Sequence, residues 1–101
     1  MQPIKIKQHR AFFTGLVAVI ENLVQYEYIS DGEKLLMATL ADLKQRIDVR
    51  LITVRKEYCI TPTHAQAIAL RLLYLEFFDE HKSYMGNKLF TIANQVQKNY
   101  H

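Results

Sequence analysis

The sequence predicts an all-α protein: an antiparallel, up-down-up-down four-helix bundle with a long second helix and a short fourth. Three observations predict it. Leu36, Leu40, Leu43, Ile47, Leu51, Val54 and Tyr58 recur at steps of three and four, which on a helix places them within a stripe of roughly 80°. Breakers are scarce, with three Gly and two Pro in 101 residues. Turn chemistry gathers at three places: Ser30-Asp31-Gly32, Thr61-Pro62 and Gly86-Asn87. A chain of this length is one domain over 1–101, since it cannot hold two hydrophobic cores.

Residues 1–7 read as an irregular N-terminal arm. Pro3 and the alternation Ile4-Lys5-Ile6-Lys7 argue against helix there. A first helix is expected from about Gln8 to Tyr28. Its apolar residues, among them Phe12, Phe13, Leu16, Val19, Ile20 and Leu23, cover a face of roughly 200° and should meet two neighbours. Lys5, Lys7 and Arg10 precede the apolar run Ala11–Ile20 as in a signal peptide. Glu21 and Asn22 then stand where small residues would mark cleavage, and the helical spacing continues. The run is also about half the ~20 residues a membrane span requires.

Ser30 is placed to cap a second helix while Glu33 reaches back to it. That helix is expected to run to about Tyr58, a length of roughly 40 Å, with Asp42 and Arg46 as an i,i+4 pair. Thr61-Pro62 should start a third helix that ends near Met85. This helix carries two apolar stripes. Ala65, Ile68, Leu72 and Leu75 are assigned to the core; Leu70, Tyr74 and Phe77, with His81, are assigned to an interface with another chain. Gly86 then stops the third helix and Asn87 caps a short fourth one, which buries Leu89, Ile92, Val96 and Tyr100.

The formal net charge of +3 is less informative than its placement. An antiparallel bundle would gather Lys5, Lys7, Arg10, Arg55, Lys56 and Lys98 at one end, opposed by Glu57 alone. The other end would collect Glu27, Asp31, Glu33, Asp79 and Glu80 against Lys34, Lys82 and Lys88. The basic end is a candidate nucleic-acid contact. Lys88, Thr91, Asn94, Gln95 and Lys98 could also read bases if the last two helices formed a helix-turn-helix, but the third helix is too long for that motif.

No catalytic motif occurs. Cys59 and His64 flank one turn, yet nothing supplies the orienting group or oxyanion hole that a nucleophile needs. Two ligands also fall short of a zinc site. Glu76, Asp79 and Glu80 are acidic neighbours without the repeated Glu-x-x-His of a di-iron bundle. No pattern calls for a metal or cofactor. The single Cys59 forms no internal disulfide, which points to a reducing, cytoplasmic location. The expected function is therefore non-enzymatic: association with protein, as a homodimer, subunit or adaptor. The alternative is a small nucleic-acid-binding accessory protein that uses the basic end.

Overall fold

The expected irregular arm holds for residues 3–5, which belong to no helix or strand, but Ile6 and Lys7 already lie in a strand. In the computed structural model, which describes residues 3–78 and 83–99, strand β1 (Ile6–His9) pairs antiparallel with β2 (Glu57–Ile60). The register sets Ile6 opposite Ile60, Lys7 opposite Cys59, Gln8 opposite Tyr58 and His9 opposite Glu57. Alternation explains the sequence pattern: Ile6, Tyr58 and Ile60 are buried on one face while Lys7, Cys59 and Glu57 are exposed on the other. The all-α expectation is corrected to this extent. The chain is mostly helical, with four helices making up 71% of the described residues, and carries a small two-stranded sheet.

Helix α1 (Arg10–Val24) follows β1 directly. It buries Phe12, Phe13, Leu16 and Ile20 and packs on α2 and, at the Gly15–Met85 approach, on α4. It stops four residues short of Tyr28. The Tyr28 hydroxyl instead donates to the Leu23 carbonyl at 2.7 Å, satisfying one of the carbonyls that a helix end leaves open.

Helix α2 (Asp31–Leu51) is the longest, at 21 residues. Ser30 caps it, accepting from the Glu33 amide at 3.1 Å. Glu33 reaches back to the Ser30 hydroxyl, at 3.0 Å, and not to its amide. Leu36, Leu40, Leu43 and Ile47 form the buried seam. Lys44 sits at its edge, paired with Asp48 at 2.7 Å and Glu21 at 3.3 Å. The hydrogen bond to Asp48, then that to Glu21, raises the Lys44 pKa above the ordinary lysine value. Arg46 does not pair with Asp42; it donates to Gln66 Oε1 and to the Thr61 carbonyl.

The seam breaks at Leu51. Ile52, Thr53 and Val54 are three successive β-branched residues, which disfavour helix. Val54 is 81% exposed, and Tyr58 is buried from a strand. Helix α3 (His64–Phe77) begins two residues later than Thr61-Pro62 suggests. Thr63 is its cap, in a reciprocal box with Gln66. Helix α4 (Tyr84–Asn99) takes Gly86 into its first turn. The Ser83 hydroxyl accepts from the Gly86 amide at 3.0 Å and its carbonyl from Asn87 at 2.9 Å, so Ser83 does the capping expected of Asn87. At 16 residues α4 is longer than α1 and α3, and the expected short fourth helix is corrected. Tyr100 lies outside the described residues.

Helices α3 and α4 pack on each other, as do α1 and α2, and α2–α3 contacts join the two pairs. Phe12, Leu16, Leu40, Leu70, Leu73 and Leu89 meet in one core, to which the buried face of the sheet contributes Ile6 and Ile60. Among the described residues no helix is long and apolar enough to cross a membrane.

Candidate interaction surfaces

The C-terminal half of α2 carries Arg46, Val49 and Arg50 along one side, away from the seam. Strand β2 lies beside it. Between them runs a trough made of two adjoining depressions that share Val49 and Arg50. The first, about 320 Å³, adds Lys7, Thr53, Arg55, Glu57, Tyr58 and Cys59. The second, about 230 Å³, adds Arg46 and Ile60. Four cations thus line the trough against Glu57, whose carboxylate lies 3.7 Å from Lys7.

Tyr58 holds this end together. Its ring is buried edge-on to Phe13, with centroids 6.1 Å apart. Its hydroxyl donates to the Thr53 carbonyl at 2.5 Å and accepts from the Arg55 amide at 2.9 Å and from Arg10 Nη1. Arg10 Nη1 also donates to the Leu51 carbonyl at 3.2 Å, in the last turn of α2, where a cation opposes the negative end of the helix dipole. One phenol therefore ties α1, the end of α2 and the loop that positions Arg55. Tyr58→Phe removes that link and leaves part-buried polar groups short of a partner. It should lower stability by about 1–3 kcal/mol in denaturant melts. It should also loosen the Arg55 loop, read as faster amide exchange at Arg55.

The six basic residues are thus not equivalent. Lys7 and Arg55 come together at the trough, and Lys56 adjoins it in the loop, exposed. Arg10 is half-buried and committed to Tyr58 and Leu51, so it is a structural cation. Lys5 is exposed just before β1, and Lys98 is exposed in the last turn of α4; neither lines the trough. Sequence reasoning missed Arg46 and Arg50. Their i,i+4 spacing was a legible signal of one helix face, but the strand that walls the trough was hidden inside a supposed helix.

The two stripes of α3 exchange roles. Leu70 is fully buried and Tyr74 is 6% exposed, its ring tilted against Phe90 at 5.6 Å. Both belong to the chain's own core because α3 presents that face to α4. Phe77 is partly exposed at the end of α3, and His81 lies outside the described residues. The other stripe is the outward one. Ala65, Ile68 and Leu72 line a depression of about 260 Å³ between α3 and the start of α2, with Leu35 and Thr39 opposite. Leu35 is 69% exposed, and Leu75 carries the apolar surface a turn further along α3.

Cys59 is exposed on β2, and His64 opens α3. Among the described residues no three His, Cys, Asp or Glu side chains gather as a metal site requires. Glu76 is exposed on α3, while Asp79 and Glu80 lie outside the described residues. No protein-family model, curated protein or solved structure matches the chain.

Proposed function

We propose that this protein works by association with protein, most simply with a second copy of itself, and not by catalysis. The observation that carries this reading is the aliphatic face of Leu35, Ile68, Leu72 and Leu75 over the α2–α3 depression. Contiguous apolar surface of this kind is what association removes from water. A two-fold contact suits its shape. Leu35 lines the hollow yet is largely exposed, so each copy can set its Leu35 against the other's hollow.

A stable dimer of this sort should bury on the order of 1,000 Å² or more in total. Light scattering after size exclusion should then give the mass of two chains. Leu35→Asp puts a charge into the contact without touching the core. It should give the mass of one chain with an unchanged circular-dichroism spectrum. A parent protein that stays a single chain across a concentration series would refute the homodimer, as would a Leu35→Asp protein that remains paired.

A further inference from the structure

We propose that the trough between α2 and β2 is a second docking site, independent of the α2–α3 face. Its occupant is an extended, acidic segment of a partner protein that adds to the sheet as a third strand.

The hydrogen-bond phase of the sheet supplies the first argument. The Arg10 amide donates to the Lys56 carbonyl at 3.1 Å, one step beyond the paired strands. In an antiparallel ladder, mutually bonded and non-bonded pairs alternate. Given the register, Gln8–Tyr58 and Ile6–Ile60 are then the bonded pairs. Glu57 and Cys59 belong to non-bonded pairs, and their amides and carbonyls point away from β1. Among the described residues the sheet has two strands, so β2 offers this outer edge as a template for a further one. Glu57, Tyr58, Cys59 and Ile60 line the trough in succession, so it follows β2 along its length.

Charge supplies the second argument. Lys7, Arg46, Arg50 and Arg55 surround the trough, and Glu57 is the one acid among the described residues that line it. In an added strand, alternate side chains share a face, so acids at every second position would stand together beside these cations. The intervening positions would meet Val49, which is exposed on the α2 wall. A protein segment suits the trough better than a nucleic acid. Outward carbonyls on β2 need donors, and a peptide backbone supplies amides at the matching spacing, whereas a phosphodiester backbone supplies acceptors only. Single-stranded nucleic acids also stack on exposed rings. Tyr58, the one ring among the described residues that line this trough, is buried.

The test uses the full chain and five fluorescent probes: a peptide of alternating Glu and Val, the matching Lys and Val peptide, two forms of the Glu–Val peptide N-methylated at one or the other set of alternate residues, and an oligothymidylate. Binding is read by anisotropy at low salt. The Glu–Val peptide should bind and the Lys–Val peptide should not. Arg50→Ala and Arg55→Ala, both at exposed positions, should each weaken binding about tenfold, as loss of a charge-assisted hydrogen bond does. N-methylation of the strand edge that faces β2 should weaken it by a similar factor, since main-chain pairing is then lost. Leu35→Asp should leave it unchanged. Tighter binding of the oligothymidylate would make the trough a nucleic-acid site and overturn the proposal. So would indifference to N-methylation in both alternate registers, or no binding of the Glu–Val peptide.

Discussion

Leu43→Ala and Ile47→Ala should each destabilise the fold by about 2–5 kcal/mol in denaturant melts, the cost of lost transfer energy plus a cavity that neighbours fill only partly. Both side chains are buried in the middle of α2, with two or more turns of helix on the N-terminal side and at least one on the C-terminal side. Neither fraying nor solvent can compensate there. Val54→Ala is the informative comparison. Val54 stands on the same stripe as Leu43 and Ile47 if the helix is extended by spacing alone, and would then cost about as much. It is in fact exposed in the loop before β2, so its truncation should change stability by no more than about 0.5 kcal/mol. Equal losses at positions 47 and 54 would place the end of α2 beyond Val54 and remove β2 from the fold.

Tyr74→Glu should be more damaging still. The site is almost closed to water, between α3 and the Phe90 ring of α4. A carboxylate there either loses its hydration or takes up a proton at a cost. An effect above about 4 kcal/mol is expected. Domains of this kind have a total stability of about 5–15 kcal/mol, so the variant should be largely unfolded, with low helical circular dichroism and no sharp thermal transition. Leu35→Asp introduces the same kind of charge on α2, across the depression from the outward stripe of α3, and should leave the fold intact. The two variants together separate core from contact surface. A folded, monomeric Tyr74→Glu protein would restore the opposite assignment.

The helices were legible because their signals are local. Four i,i+3 and i,i+4 series and Ser30 before α2 act within one or two turns; at α3 the reading from Thr61-Pro62 fell two residues short of the Thr63–Gln66 cap. The sheet was not, because each strand is only four residues and makes sense only beside the other. Ile4-Lys5-Ile6-Lys7 gave a period of two without showing what lay opposite. Tyr58 fell by coincidence on the helical stripe of α2. The stripes of α3 failed for a related reason. Periodicity reveals that a helix has two apolar faces, but which face meets α4 depends on residues from another part of the chain. The candidate sites inherited both errors. Lys7 and Arg55 were recognised as basic residues that meet, whereas Arg46 and Arg50 join them only once β2 lies along α2.

The pairing of β1 with β2 also sets an order of events. The α1–α2 pair is close in sequence and can dock early, while the ladder must close over both helices before it forms. Loop-closure entropy makes such distant pairing slow unless something first brings the ends together, and the docked helices do so. Helix content should therefore rise ahead of the Arg10–Tyr58 link during folding. The trough, which needs β2 held by β1 across from α2, comes into being only at that last step, so a newly made chain can be largely helical before it can recognise anything there.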